Sequence, residues 1–202
     1  MQLLALTGGV GMGKSTTTDF LRTRKIPVAD TDLIARQLVE PGQPGLAEIQ
    51  NLFGPEVIDA TGRLDRPKLA RLVFSNPDRR QKLEAVLHPR IRDIWQEQVG
   101  EWTRENRPVA VVVIPLLFET NATPLFDAVI CVACTEQSQR VRLRQRGWSD
   151  EEIQQRVDAQ WPIQKKMAQA DFLIWTESSS AVHEAQLTHI LGSVQASVPD
   201  AQ

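Results

Sequence analysis

The chain has 202 residues, and its 23 lysines and arginines nearly balance 25 aspartates and glutamates, for a formal net charge of −2. This length accommodates one domain with a full hydrophobic core, or a core with a small lid. The balanced charge argues against a nucleic-acid partner, which would select a net basic surface. No apolar run approaches the roughly 18 residues of a membrane span and no cleavable leader pattern is present, so we expect a soluble, cytoplasmic protein without a membrane partner.

The first predicted strand, residues 3–6, leads directly into a glycine-rich loop. Residues 8–15 read Gly-Gly-Val-Gly-Met-Gly-Lys-Ser, which is the phosphate-binding pattern of Gly, four residues, Gly, Lys and Ser or Thr. Glycines let the backbone curl around an anion with its N–H groups pointing inward. Lys14 supplies a charge for the β- and γ-phosphates, and the Ser15 hydroxyl is suited to ligate Mg²⁺.

A helix predicted over residues 16–21 would add its dipole to the same site. We therefore predict that the chain binds a nucleoside triphosphate, with Lys14 also serving catalysis. The predicted triphosphate-binding residues of this segment are Gly8, Gly9, Val10, Gly11, Met12, Gly13, Lys14, Ser15 and Thr16.

The second predicted strand, residues 27–29, is followed by Asp30, Asp32 and Arg36. A hydroxyl group that attacks phosphorus benefits from a carboxylate that accepts its proton, so both aspartates are candidates for that role. If a helix begins near Thr31, Arg36 lies one turn beyond Asp32 on the same helix face. The alternative is that the aspartates only cap this helix and charge its first turn.

Apolar runs alternate with helical patterns further along the chain, which predicts an open, parallel α/β sheet. Residues 109–114 form an unbroken apolar run, typical of a strand covered on both faces. Two more strands are predicted over residues 128–132 and 172–175. Ligands of such sheets bind outside the carboxyl ends of the strands, and the motifs described above fall at such ends.

Two long, mainly helical segments interrupt this alternation. Residues 41–102 separate the second and third strands, and their length suits a subdomain that holds an acceptor. Residues 135–168 separate the fourth and fifth strands and are rich in arginine, which suggests a lid. The predicted core then comprises residues 1–40, 103–134 and 169–195.

Cys131 and Cys134 have the Cys-x-x-Cys spacing of metal and redox sites, but they fall in or next to the fourth predicted strand. Residues three apart on a strand point to opposite faces, so the two sulfurs would not share a ligand or a disulfide. We expect buried structural thiols.

Arginines alternate along the predicted lid, at positions 140, 142, 144 and 146. Charge runs usually mark a solvated helix face. However, a spacing of four residues places Arg142 and Arg146 on one face. An arginine over the migrating phosphoryl group is worth roughly 10³–10⁵ in rate, so these two are also candidates for contact with the triphosphate.

Taken together, these motifs resemble those of the dephospho-CoA kinase family. The matching segments run in order over nearly the whole core. The Asp30–Asp32 pair combined with the later motifs is far more specific for this family than the phosphate loop alone. The matching segments are residues 6–15, 30–36, 87–89, 115–119, 142–146, 160–166 and 170–171.

The resemblance implies ATP-dependent phosphorylation of the ribose 3′-hydroxyl of dephospho-CoA, the last step of coenzyme A synthesis, with Mg²⁺ as cofactor. It implies a three-layer α/β/α P-loop fold with a five-stranded parallel sheet, a helical CoA-binding insertion and a helical lid. In the family, the second aspartate of the Asp-x-Asp pair is the general base, which corresponds to Asp32. The resemblance also assigns Arg142 and Arg146 to ATP.

The acceptor residues implied by the resemblance include His88, at the apparent end of a helix before Pro89, and nearby Arg92. The full set of predicted substrate-binding residues is Asp30, Asp32, Arg36, His88 and Arg92. No aspartate follows the third strand, where Glu119 occurs instead, so Mg²⁺ would be held by Ser15, phosphate oxygens and water.

The chain departs from the family pattern at two places. Thr31 stands where the family usually has alanine, and Trp175-Thr176-Glu177 replaces an Asn-Ser or Asn-Gly pair close to the adenine. The nearest alternative function is another small-molecule or nucleoside monophosphate kinase, which the long insertion disfavours. A GTP-dependent switch protein is disfavoured by the lack of an Asn-Lys-x-Asp sequence. We expect a monomer or a weak homo-oligomer.

Overall fold

The computed structural model describes residues 1–74 and 76–196. Over these residues, five strands form one parallel sheet with helices on both sides, in the order β2-β3-β1-β4-β5. The strands are β1 Gln2–Gly8, β2 Val28–Asp30, β3 Val109–Val113, β4 Ala128–Ala133 and β5 Phe172–Trp175. Each overlaps a strand predicted from the sequence, and the predicted P-loop fold is confirmed.

Strand β1 lies at the centre of the sheet, where it pairs with β3 and β4. Its side chains alternate between two hydrophobic cores, as the period of an extended strand requires. Leu4 and Leu6 pack in the core that also contains Leu21 and Leu187, whereas Ala5 belongs to the core on the opposite face. Strand β3, predicted to be covered on both faces, is buried along its whole length.

Helices connect the strands in the described part of the chain. They are α1 Lys14–Thr23, α2 Thr31–Gln37, α3 Pro44–Phe53, α4 Arg66–Phe74, α5 Pro77–Arg104, α6 Glu136–Gln145, α7 Asp150–Asp158, α8 Ile163–Gln169 and α9 Ser180–Ala196. Of the helices described, none is both long enough and apolar enough to cross a membrane.

Internal contacts divide the chain into two units. One comprises Met1–Ala29 and the described residues from Trp102 onward, and the other comprises Asp30–Glu101. The second unit has its own hydrophobic core, built by α3, α4 and the turn between them. Its fully buried side chains include Ile49 and Val57. The assignment of residues 41–102 to CoA binding stays a prediction.

Helix α5 continues through Pro89, so the expectation that His88 ends a helix is wrong. Proline lacks an N–H group and crowds the preceding turn, which normally breaks or kinks a helix. Here Pro89 lies on the exposed side of the helix, where water can satisfy the carbonyl groups that the ring deprives of partners. The Arg90 guanidinium also donates to Val86 O at 2.7 Å, one turn earlier.

Candidate active site

The loop between β1 and α1 depends on its glycines for both conformation and space. Gly8 and Gly13 have φ angles of 143° and 109°, in a region that side chains disfavour. A Cβ atom at Gly8 would lie 2.3 Å from Val132 O, inside the neighbouring strand. Gly13 then serves as the N-cap of α1, so the loop ends where the positive end of the helix dipole begins.

Side chains from distant parts of the sequence hold the middle of this loop. Gln139 Nε2 donates to Val10 O at 2.7 Å, and Gln160 Oε1 accepts from Val10 N at 3.0 Å. Thr176 Oγ1 donates to Met12 O at 2.9 Å. Sequence reasoning missed all three polar residues as site components. Two signals existed: residues 160–166 match the family motif, and Trp175-Thr176-Glu177 stands where the family has a pair close to the adenine. Neither gave Gln160 or Thr176 a role toward the loop.

These contacts orient the peptide groups of the loop. In a trans peptide, the carbonyl group and the N–H group of the next residue point in opposite directions. Because Val10 O and Met12 O are bonded outward, the N–H groups of Gly11 and Gly13 point to the other side. Lys14 Nζ donates to two earlier carbonyl oxygens of the loop, at 2.7 Å and 3.0 Å. The result is an anion-binding concavity.

A cavity of about 380 Å³ opens beside the loop. It brings together parts of the loop, of α6 and of the segment after β5. Its lining residues are Gly11, Gly13, Thr16, Arg142, Gln145, Arg146, Thr176, Ser178, Ser180 and His183. Both arginines that the sequence assigned to ATP therefore face the same space as the loop. Their contact with ATP stays a prediction.

Arg142 is held in this cavity by the residue where the chain departs from the family pattern. Its Nη1 donates to Thr176 Oγ1 at 2.8 Å, and its Nη2 donates to Thr176 O. Thr176 thus links Arg142 to the phosphate loop. By contrast, Arg140 pairs with Glu136, and Arg144 pairs with Asp150 at the surface.

His183 is a second cavity residue that sequence reasoning missed. It is 5% exposed, and its Nε2 lies 2.8 Å from Thr17 Oγ1, one helical turn beyond the loop. Burial lowers the pKa of this imidazole, and the charge of Arg142 lowers it further. The neutral ring is therefore favoured in the folded protein.

The two aspartates after β2 have different environments at the start of α2. Asp30 Oδ1 accepts hydrogen bonds from Asp32 N at 3.0 Å and Leu33 N at 3.3 Å, which is a helix N-cap. Asp30 therefore caps α2, and its assignment to the substrate stays a prediction. Asp32 and Arg36 are both exposed, and they stand four residues apart in α2 as expected. Their roles toward an acceptor stay predictions.

His88 and Arg92 are likewise exposed and four residues apart, in the middle of α5. This spacing puts them on one helix face. An imidazole and a guanidinium on one face are suited to bind an anionic group, and the assignment of the acceptor to them remains a prediction.

Glu119 lies in the segment after β3 and forms a buried ion pair. Its Oε1 is 2.8 Å from Lys166 Nζ, and the two side chains are 16% and 0% exposed. The same oxygen accepts from Trp161 N at 2.7 Å. Lys166 Nζ donates in addition to Pro115 O at 2.7 Å. Through Oε1, Glu119 therefore anchors the segment around α8.

Among the described residues, no group of three or more histidine, cysteine, aspartate or glutamate residues is arranged to hold a metal ion. Ser15, in the first turn of α1, has an exposed side chain with a hard oxygen donor. Mg²⁺ commonly takes one or two protein ligands and completes its shell with water and substrate phosphates. The residues present fit that mode of binding.

Both cysteines are buried and free, as expected from their position. Burial raises the pKa of Cys131 to about 11, and it also raises the pKa of Cys134. Thiols in this state are poor nucleophiles and poor metal ligands, which supports a structural role.

Residues 2–182 match the sequence model of the dephospho-CoA kinase family. The chain is 47% identical to a dephospho-CoA kinase of Bdellovibrio bacteriovorus over 174 residues, which cover 86% of this chain and 87% of the relative. It is 39% identical to a dephospho-CoA kinase of Bacillus cereus over 190 residues, which cover 94% of this chain and 95% of the relative.

Solved structures share the architecture of this chain. The protein TT1252 from Thermus thermophilus superposes with a TM-score of 0.83 at 35% identity, covering 95% of this chain and 97% of that one. The dephospho-CoA kinase of Campylobacter jejuni superposes with a TM-score of 0.69 at 26% identity, covering 97% of this chain and 98% of that one. A shikimate kinase from Bacteroides thetaiotaomicron, at 14% identity and a TM-score of 0.51, shares the fold. This chain belongs to the dephospho-CoA kinase family of P-loop kinases.

Proposed function

We propose that this protein transfers the γ-phosphoryl group of ATP to the ribose 3′-hydroxyl of dephospho-CoA, giving coenzyme A and ADP. The observation that carries the proposal is the shared cavity of the phosphate loop, Arg142 and Arg146 in a chain of this family. Loop, helix N-terminus and arginines supply the positive field that a triphosphate needs.

ATP would bind with its phosphates on the loop and its nucleoside toward the cavity. The N–H groups of Gly11 and Gly13 face the phosphates, and Lys14 leaves its loop carbonyls to meet the β- and γ-phosphates. Ser15 would hold Mg²⁺, which neutralises charge on the phosphates when bound. Thr176, Ser178 and the other residues after β5 would then line the nucleoside.

The acceptor would be activated by Asp32. Its exposed carboxylate takes the proton of the ribose 3′-hydroxyl as the oxygen attacks the γ-phosphorus, so that the new P–O bond forms while ADP leaves. Arg36 stands one turn further along α2 and would hold the acceptor together with His88 and Arg92 of the second unit. Residues 41–102 would supply the rest of the CoA-binding surface.

Arg142 and Arg146 would stabilise the charge that spreads over the transferring group. We propose residues 135–168 as the lid, whose closure excludes water and so prevents hydrolysis of ATP. A cytoplasmic location and a monomeric or weakly associated state remain predictions.

A coupled assay of ADP release tests this function. Purified protein with ATP and Mg²⁺ is offered dephospho-CoA, AMP or shikimate, and the product with dephospho-CoA is identified as 3′-phosphorylated by mass spectrometry and phosphatase sensitivity. We expect turnover with dephospho-CoA alone, and none in the Lys14→Ala variant, which controls for contaminating kinases. Turnover with AMP or shikimate and not with dephospho-CoA would establish the alternative small-molecule kinase.

A further inference from the structure

We propose that Gln139 and Gln160 are positioning residues that hold the phosphate loop in its ATP-binding conformation. This inference rests on the proposed role of ATP as phosphoryl donor. Both side chains end on the backbone of Val10, one at its carbonyl oxygen and the other at its N–H group. The two peptide units that flank Val10 are therefore both restrained from outside the loop.

The backbone partner fixes which end of each amide is used. A carbonyl oxygen only accepts, so Gln139 presents its NH₂ group to Val10. A backbone N–H only donates, so Gln160 presents its oxygen. The two glutamines consequently perform opposite tasks and are not interchangeable. Gln139 must be a donor, and Gln160 must be an acceptor.

Helix α6 gives Gln139 its fixed position. Gln139 is 4% exposed, and Leu143, one turn further, is fully buried. A Cβ atom added at Gly11 would lie 2.9 Å from Leu143 Cδ2, so α6 packs directly on the loop there. The same helix face thus contacts two consecutive loop residues, Val10 through a hydrogen bond and Gly11 through packing.

Gln160 is fixed by the residues that follow it. Trp161 N donates to Glu119 Oε1, which also pairs with the fully buried Lys166. Trp161 stacks on Phe118 with 5.9 Å between ring centroids. The Gln160 side chain is therefore presented to Val10 from a rigid support after β3, and not from a freely moving loop.

These restraints decide where the N–H group of Gly11 points. With Val10 O held by Gln139, the following N–H group is turned to the opposite side, where we place the phosphates. Without the donor, Val10 O would be left unsatisfied, and the peptide would be free to rotate toward another partner. The loop would then have to be reordered at each binding event, which weakens affinity for ATP.

Isosteric substitution separates the two tasks. Glutamate has the shape of glutamine, but an ionised carboxylate only accepts hydrogen bonds. Gln160→Glu therefore keeps the hydrogen bond from Val10 N. Gln139→Glu loses the hydrogen bond to Val10 O and places a negative charge against that oxygen. Gln139→Met and Gln160→Met each remove the hydrogen bond of the replaced glutamine without adding charge. Gln137→Glu, at an exposed position of α6, controls for the added charge.

The dissociation constant of MgATP is measured by calorimetry without acceptor, followed by KM for each substrate. We expect Gln139→Glu, Gln139→Met and Gln160→Met to raise the ATP dissociation constant by about tenfold, as the loss of one hydrogen bond on a binding loop implies. Gln137→Glu should stay within about threefold of the original protein. Gln160→Glu keeps its hydrogen bond but adds a charge at the loop, so it should weaken ATP binding less than Gln139→Glu does. KM for dephospho-CoA should change by less than about twofold throughout.

Equal ATP affinities of Gln139→Met and the original protein would overturn the inference, as would equal losses in Gln139→Glu and Gln160→Glu. A Gln139→Met chain that fails to fold by circular dichroism would also overturn it, because the glutamine would then serve stability and not the loop. If the original protein itself does not bind ATP, the proposed function falls and takes this inference with it. The two failures are therefore distinguishable.

Discussion

Thr176 donates a hydrogen bond from Oγ1 to Met12 O at 2.9 Å, and the same oxygen accepts from Arg142 Nη1 at 2.8 Å. One buried hydroxyl thus joins the end of β5 to both the phosphate loop and a cavity arginine. A Cβ atom at Gly13 would lie 3.0 Å from Thr176 Cγ2, so the methyl group packs on the loop as well. This threonine couples loop conformation to arginine position.

Replacing that hydroxyl should affect both partners. Thr176→Val keeps the shape but leaves Met12 O without its donor, so we expect a loss of about 1–3 kcal/mol in the free energy of unfolding and weaker ATP binding. Thr176→Ser keeps the hydroxyl and serves as the control, with a smaller loss in both. Urea denaturation and calorimetry measure the two quantities. A valine variant as stable and as tight-binding as the serine variant would contradict the coupling.

Asp32→Asn should separate ATP binding from catalysis. The amide keeps the shape of the carboxylate but does not accept a proton at neutral pH, so we expect kcat to fall by roughly 10²–10⁴ while the dissociation constant of ATP changes little. Asp78→Asn is the control, because it neutralises an exposed aspartate in the first turn of α5. If Asp32→Asn retains kcat within about threefold, the carboxylate is not the general base.

His183 should make stability depend on pH. Its pKa is lowered in the folded protein, so the unfolded chain binds a proton at a higher pH than the native state does. Stability is therefore fully present above the ordinary histidine pKa of about 6.5, and it declines as the pH falls through that value toward the lower folded pKa.

The dependence is measured as the free energy of unfolding at about pH 7.5 and pH 5.5, on either side of the ordinary histidine pKa. We expect a smaller decrease between the two in His183→Gln, which lacks the titrating group. His189→Gln, which removes an exposed histidine from the same helix, is the control. An identical decrease in His183→Gln and the original protein would rule out His183 as a source.

Replacing Lys166 alone should destabilise the protein more than replacing both members of the Glu119–Lys166 pair. Lys166→Met leaves a largely buried carboxylate without its cation, and we expect a loss of about 3 kcal/mol in the free energy of unfolding. The double variant with Glu119→Gln removes the stranded charge and should recover at least about 1 kcal/mol.

Lys165→Met is the matched control for this pair, because it removes the exposed lysine whose Nζ lies 3.3 Å from the Trp161 ring centroid. It should lose no more than about 1 kcal/mol. Urea titrations of the four proteins provide the comparison. A double variant no more stable than Lys166→Met alone would show that the carboxylate is not the source of the cost.

The sequence by itself determined the phosphate loop, the five strands and the family. Gly8 to Ser15 is a local pattern whose residue types follow from backbone dihedrals and from the chemistry of phosphate, so no distant contact is needed to recognise it. From the sequence, Asp30 could be interpreted as a helix N-cap or as a substrate ligand, since a carboxylate at that position suits both roles. His88 was misplaced because a proline on the exposed side of a helix can be accommodated where water reaches the carbonyl group that it frees.

Only the tertiary structure decided which residues shape the site. Gln139, Gln160 and Thr176 act on loop residues that lie 129, 150 and 164 positions away in the chain. The sequence around a single glutamine or threonine does not reveal its hydrogen-bond partner. That partner depends on which backbone N–H or carbonyl group the fold leaves within reach. Hydrophobic patterning places the elements, and the pairing of polar groups across them follows only once the sheet and helices are assembled.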